Sequence, residues 1–127
     1  MIHSNIKSGI RHTQQLEVTK DNTASAYGSG DVDVFATPAM IALMEMTARN
    51  SIQDLLPEGY TTVGTEVNIK HLKASAIGNR VRCESEVLDV NGNKINFKVQ
   101  VWDDTILVGD GTHTRAIVKL EKFISKH

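Results

Sequence analysis

The stretch TPAMIALMEMTARNSIQDLL, residues 37–56, is typical of one long helix. We expect Thr37 to be its N-cap, and Pro38 suits the first helical position, where its missing N–H costs nothing. Pro57 and Gly59 then end the helix. At about 100° per residue, the apolar stripe of the helix consists of Ile41, Met44, Ala48, Ile52, Leu55 and Leu56.

Glu45 falls inside this apolar stripe, close in angle to Ile41 and Ile52. Its carboxylate is therefore predicted to point at the core, where a charged group has to be paired, hydrogen-bonded or neutralised. A catalytic role is one reason to keep such a group. The alternative is a slightly rotated helix, with Glu45 at the edge of the stripe in solvent.

Strand-like segments lie on both sides of this helix. Before it, a short strand around Leu16 and Val18 follows a polar lead-in over residues 1–11, and the Gly-containing stretch 21–36 is typical of a loop or lid. After it, alternating and apolar segments predict four strands, at 61–73, 80–90, 94–102 and 105–121.

Short turns at Asn91-Gly92 and Asp103-Asp104 join the last strands as hairpins, which implies an antiparallel sheet. One helix must then cover one face of that sheet. The sequence therefore predicts an α+β hotdog fold, in which one long central helix is wrapped by an antiparallel sheet of about five strands. We expect a single domain over residues 1–127.

Composition narrows the classes of function. The 14 Lys and Arg residues against 15 Asp and Glu residues give a net charge of −1, which supplies no general attraction to nucleic acid. No apolar run approaches the roughly 20 residues of a membrane helix. The single cysteine, Cys83, excludes an internal disulfide or multi-cysteine zinc site, and we expect it to be structural. A reducing compartment and the absence of a signal-like apolar core at the N-terminus predict a cytoplasmic protein.

Several polar residues could carry chemistry. His71 ends an alternating run whose one face is expected to hold Val63, Thr65, Val67, Ile69 and His71. It is either a general acid or base near neutral pH or a core histidine bonded to a backbone carbonyl. His113 and Arg115 alternate on the last strand and could form an ordinary solvated face. In the same strand, Gly109 and Gly111 indicate a bulge or a close backbone approach.

Three separated segments resemble the fluoroacetyl-CoA thioesterase-like family of hotdog proteins. They are VFATPAMIALME (34–45), TVGTEVNIKH (62–71) and GDGTHTRA (109–116), and LEKF (120–123) also fits. The resemblance spans roughly residues 15–124. It implies hydrolysis of acyl-CoA thioesters by a homodimer, or by a dimer of two dimers, without a cofactor or metal.

The resemblance also implies roles for individual residues. Thr37, Glu45 and His71 match the family's catalytic threonine, glutamate and histidine. The substrate-binding residues it implies are Gly64, Arg115 and Phe35. One departure is clear, since the fluoroacetyl-selective member carries bulky phenylalanines in the loop before the helix, where this chain has Gly-Ser-Gly-Asp (28–31). We therefore expect a more open pocket and a different short or medium acyl group.

The implied mechanism is acyl transfer to water. Glu45 would act as nucleophile or as the base for water, His71 would assist proton transfer, and Thr37 would orient the pair. The backbone N–H of Gly64 would hold the oxyanion or acyl group, with Arg115 in electrostatic support. Two alternatives are a non-catalytic acyl-CoA-binding protein and a 3-hydroxyacyl thioester dehydratase on the same fold. Because a chain this small has little volume for a deep pocket, we expect the site to form at a subunit boundary.

Overall fold

Helix α2 (Thr37–Ile52) lies on one face of a five-stranded antiparallel sheet, which confirms the predicted α+β hotdog fold. These elements belong to a computed structural model that describes residues 5–127. The strands are β1 (Arg11–Glu17), β2 (Tyr60–His71), β3 (Arg80–Asn91), β4 (Lys94–Asp103) and β5 (Ile106–Lys119). The shorter helical elements are α1 (Ala24–Tyr27), α3 (Leu120–Lys126) and 3-10 turns at Lys20–Asn22 and Gln53–Leu55. The sheet order is β1-β3-β4-β5-β2, so β1 and β2 form its two edges.

The core lies between α2 and the concave face of the sheet. The helix buries Ala39, Met40, Leu43, Met44, Thr47, Ala48 and Ile52. It is therefore rotated relative to the predicted stripe, because Leu43 and Thr47 face the sheet while Ile41 is only half-buried. The regular helix also ends earlier than predicted, with Leu56 already extended. A residue that precedes a proline is pushed out of the helical conformation, and Leu56 precedes Pro57.

A bulge in β2 breaks the predicted alternation of that strand. Gly64 pairs with Arg115 and Glu66 pairs with Thr114, so Thr65 is an extra residue without a partner on β5. The sequence predicted Val67, Ile69 and His71 on the same face as Val63. Because of the extra residue, they lie on the opposite face. The residues that share the helix-facing side with Arg115 are Gly64, Val67, Ile69 and His71. The bulge thus brings Gly64 and His71, seven positions apart, onto one face.

Two glycines of β5 confirm the predicted close approach. A Cβ added at Gly109 would lie 2.5 Å from the sulfur of Met40, so α2 packs directly on the strand there. A Cβ at Gly111 would overlap the backbone oxygen of Asn68 on β2. Large side chains would push the helix and the edge strand away from β5 at these points.

The ends of the chain differ from the sequence prediction. Within the expected lead-in over residues 1–11, residues 1–4 lie outside the described part, Ile6 is buried in the core and Arg11 already begins β1. The strand predicted over 105–121 ends at Lys119, and the good helix formers Leu, Glu and Lys then begin α3. Among residues 5–127, no helix has both the length and the apolar character that a membrane crossing needs.

Candidate active site

Thr37 and His71 form one part of the site. The N-cap of α2 is Ala36 rather than Thr37, so the predicted capping role of Thr37 is wrong. Thr37 is the first helical residue, and its hydroxyl lies 2.8 Å from Nδ1 of His71 at the end of β2. The start of the helix and the end of the edge strand therefore place a hydroxyl and an imidazole in hydrogen-bond contact.

The environment of His71 favours a neutral ring. Burial lowers the pKa of His71, although the nearby Lys73 backbone opposes this shift. Phe35 lies edge-on to the imidazole, with ring centroids 6.4 Å apart. Among the described residues, buried Nε2 has no hydrogen-bond partner. A neutral imidazole with one free nitrogen can exchange a proton with a substrate or with a second catalytic group.

A cavity of about 310 Å³ opens beside this pair. Its lining includes Ser29 from the Gly-containing loop, Phe35 before the helix, and Lys73 after β2. Phe35, which was predicted to bind substrate, is only 1% exposed and forms part of the wall. Thr37 and His71 therefore face a space that can hold a small group.

Glu45 forms the second part of the site, and its predicted burial in the core is wrong. Its side chain is 41% exposed, because the rotation of α2 places it at the edge of the apolar stripe. Its Oε2 lies 4.0 Å from Nη1 of Arg115, and a Cβ added at Gly64 would lie only 2.7 Å from the same oxygen. Gly64 thus leaves room for the carboxylate to lie over the sheet.

Arg115 and His113 are buried beneath Glu45, so the alternative of a solvated strand face is wrong. Arg115 donates through Nε to Oγ1 of Thr62 at 2.8 Å and through Nη2 to the Thr62 carbonyl at 3.0 Å. Its Nη1 lies 3.1 Å from Nε2 of His113. Burial lowers the pKa of Arg115, and the nearby carboxylate opposes that shift, so the group keeps its charge near pH 7.

His113 is the site residue that the sequence prediction missed. Its Nδ1 lies 2.8 Å from the Glu66 carbonyl, and burial lowers its pKa, as does the charge of Arg115 to a smaller extent. The Thr-His-Thr-Arg alternation placed it on the same face as Arg115. Only the packing of α2 over β5 shows that this face is the inner one.

The two parts of the site do not meet within one chain. Thr37 and Glu45 are eight residues apart on α2, which separates their backbones by about 12 Å along the helix axis. Among residues 5–127, no hydrogen bond joins Glu45 to either Thr37 or His71. One chain therefore presents a Thr37–His71 pair at the start of α2 and a Glu45–Gly64–Arg115 group two turns further on.

Other reactive groups stay apart from this site. Cys83 is fully buried in β3, and burial raises the pKa of its thiol to about 11, in agreement with a structural role. Over the described range 5–127, no three His, Cys, Asp or Glu side chains are grouped so that they could hold a metal ion.

Comparison with known proteins places the chain among thioesterases. A family model described as fluoroacetyl-CoA-specific thioesterase matches residues 18–121. The fluoroacetyl-CoA thioesterase of Streptantibioticus cattleyicolor is 34% identical over 94 residues, which are 74% of this chain and 68% of that protein. A solved structure of a fluoroacetyl-CoA thioesterase superposes with a TM-score of 0.89 at 30% identity, covering 95% of this chain and 94% of the other. A thioesterase superfamily member from Thermus thermophilus gives a TM-score of 0.89 at 28% identity, covering 95% and 90%.

Proposed function

Because the chain belongs to the family of fluoroacetyl-CoA-specific thioesterases and is an acyl-CoA thioesterase, we propose that Thr37, Glu45 and His71 carry out its hydrolysis. The observation that supports this most directly is the 2.8 Å contact between the Thr37 hydroxyl and His71, at the wall of the cavity. Family membership favours hydrolysis over the binding-protein and dehydratase alternatives.

We propose that the enzyme is a homodimer whose site is shared between subunits. β2 is an edge strand, and its residues Gly64 to Asn68 are exposed, the apolar Val67 among them. An open strand edge is a template for pairing with another strand. Antiparallel pairing of β2 with its own copy about a two-fold axis brings the Gly64 end of one strand beside the His71 end of the other.

In this arrangement Glu45 of one subunit faces Thr37 and His71 of the other. The carboxylate attacks the thioester carbonyl to form an acyl anhydride that water then hydrolyses, or it takes a proton from the water that attacks directly. In either route the C–S bond breaks, and the departing CoA thiolate takes up a proton that comes from the water. His71 exchanges the proton at Nε2, while the Thr37 hydroxyl holds its Nδ1. The backbone N–H of Gly64 stabilises the oxyanion, and Arg115 keeps positive charge beside Glu45.

Mixed dimers test the shared site. Glu45→Ala and His71→Ala chains are each purified, found inactive, then unfolded, mixed in equal amounts and refolded together. Half of the dimers then carry one of each chain, and a shared site leaves one of their two sites intact, which restores about a quarter of the wild-type release of CoA. If each chain holds a complete site of its own, the mixture stays inactive. Full turnover by the Glu45→Ala chain alone would exclude Glu45 from the mechanism.

The acyl group is proposed to be a short or medium chain other than fluoroacetyl. Ser29, from the Gly-Ser-Gly-Asp loop (28–31), lines the cavity, and this loop stands where the fluoroacetyl-selective member of the family carries phenylalanines. A serine in place of an aromatic side chain on this part of the wall leaves more room for an acyl chain. Release of CoA across a series of acyl-CoAs should give a higher kcat/KM for butyryl- or hexanoyl-CoA than for fluoroacetyl-CoA, and the reverse order would contradict the open pocket.

A further inference from the structure

His113 lies outside the proposed catalytic residues, yet both nitrogens of its buried ring have partners. Nδ1 lies 2.8 Å from the Glu66 carbonyl and Nε2 lies 3.1 Å from Nη1 of Arg115. A carbonyl oxygen can only accept a hydrogen bond, and a guanidinium can only donate one. The hydrogen of the ring must therefore be on Nδ1, and Nε2 must be an acceptor, so these contacts require one tautomer of a neutral histidine.

Arg115 is held on both sides. Thr62 accepts from its Nε and Nη2, and His113 accepts from its Nη1. Because the guanidinium is planar and rigid, these contacts fix the direction of Nη1, the atom that lies 4.0 Å from Oε2 of Glu45. Phe97 of β4 stacks on the His113 ring, with centroids 6.1 Å apart, and holds the plane of the imidazole.

We propose that His113 is a positioning residue, whose neutral ring orients Arg115 so that the guanidinium holds the Glu45 carboxylate over Gly64. The inference rests on the proposed catalytic role of Glu45. The ring acts only through Arg115. Contacts with β2 and β4 fix the His113 ring, and the ring accepts a hydrogen bond that fixes the guanidinium. The guanidinium in turn holds the Glu45 carboxylate of α2 in place.

Two substitutions separate this role from simple packing. His113→Gln keeps a neutral side chain with one donor and one acceptor, whereas His113→Leu fills a similar space with neither. We expect His113→Leu to lower kcat for acyl-CoA hydrolysis on the order of tenfold to a hundredfold, because a misplaced catalytic group costs rate. KM should change by less than about threefold, and His113→Gln should recover most of kcat.

A double variant tests whether the effect passes through Arg115. If it does, His113→Leu combined with Arg115→Met has the same kcat as Arg115→Met alone, since the two residues act as one unit. Val99→Ala is the packing control, because Val99 is buried on neighbouring β4 away from the Arg115 contacts. It should lower Tm and leave kcat unchanged.

Wild-type kcat in a folded His113→Leu chain would overturn the inference, as would a double variant in which the two losses multiply. Glu45→Gln tells this failure apart from failure of the proposed function. If Glu45→Gln is inactive while His113→Leu keeps full kcat, only the positioning role is wrong. If Glu45→Gln retains full kcat, the proposed mechanism itself is wrong.

Discussion

A single methyl group at Gly64 is enough to test the position of Glu45. The added Cβ would lie 2.7 Å from Oε2 of Glu45 and 3.2 Å from the His113 ring. The nearest atom is the end of a flexible side chain, so the fold should accommodate Gly64→Ala while the carboxylate moves. We expect kcat to fall at least about tenfold, with Tm within a few degrees of the wild type.

Gly111→Ala is the contrasting substitution for this experiment. There the added Cβ meets the backbone of Asn68 and Ile69, which cannot move aside alone. Gly111→Ala should therefore lower Tm sharply, and circular dichroism melts distinguish the two outcomes. A Gly64→Ala enzyme with full kcat would show that the carboxylate need not lie over the glycine.

Lys73 offers a positive charge at the cavity, and we expect it to contact the phosphates of CoA. It is the charged residue among those that line the cavity beside Thr37 and His71, and its side chain is exposed. We expect Lys73→Met to raise KM for acyl-CoA by about twofold to fivefold, the scale of one exposed ion pair. KM for the matching acyl-pantetheine thioester, which lacks the phosphates, should not change.

Lys70→Met is the matched control, because Lys70 is exposed on β2 one position before His71, on the opposite side of the strand. Steady-state kinetics at two salt concentrations complete the comparison, since charge contacts weaken with salt. An equal rise in KM for both thioesters would indicate that Lys73 contacts the pantetheine arm or shapes the cavity.

At the scale of elements, the bulge in β2 decides which residues face the helix. Deleting Thr65 would restore regular pairing without changing the register of Glu66 to His71 against β5, and Gly64 and His71, then six positions apart, would still share the helix-facing side. We therefore expect the deletion variant to retain CoA release within about tenfold of wild type, in a chain whose far-ultraviolet circular dichroism still shows the sheet. Thr65→Ala, which keeps the extra residue, should retain kcat. Loss of activity in a folded deletion variant would show that the bulge itself is needed, and not only the face on which these residues lie.

The same element shows where sequence reasoning reached its limit. The prolines that bracket α2 and the alternating strands made the helix, the four following strands and the hotdog fold predictable. The face of β2 was not predictable, because a bulge is defined by pairing with β5 rather than by β2 alone. The predicted direction of the Glu45 side chain was wrong for a related reason. A shift of one position in the helical stripe is a rotation of about 100°.

The site residues also differ in how far the sequence could predict them. The place of Thr37 at the helix start predicts an N-cap, and its catalytic role is implied by the family resemblance. Its hydroxyl contacts His71 instead of capping the helix. The alternation around His113 also fits an ordinary solvated strand face, so the pattern alone does not identify it as a site residue. Its burial depends on α2 covering β5, which no local pattern records.

At the scale of the whole molecule, assembly should depend on the exposed apolar surface beside β2. Val67 on the β2 edge is 39% exposed, and a glutamate there would place charge in the proposed interface. We expect Val67→Glu to sediment as a monomer and to lose activity in parallel. Leu88→Glu is the control, since Leu88 is 42% exposed on β3 away from the β2 edge. A fully active monomer of Val67→Glu would contradict the shared site.

Acid should destabilise the folded chain through the half-buried His71 and the buried His113. Burial lowers the pKa of His71 and of His113 below the ordinary value of 6.5, so the unfolded chain binds more protons once the pH falls below that value. The stability that these two neutral histidines contribute is therefore fully present above about pH 6.5. It is lost as the pH falls through their lowered pKa values in the folded state. We expect Tm to fall between about pH 7 and pH 5, and to fall less in His113→Gln. Melts at one fixed protein concentration measure this, and equal slopes in both proteins would contradict it.

The separation of Glu45 from the Thr37–His71 pair has a consequence for dosage. If the two groups meet only between chains, an isolated chain is inactive. Activity per chain then rises with protein concentration until every chain is part of a dimer. Dilution would then switch off hydrolysis without altering a single residue. Two defective alleles, one lacking Glu45 and one lacking His71, could restore each other's activity in one cell, whereas two alleles with the same defect could not.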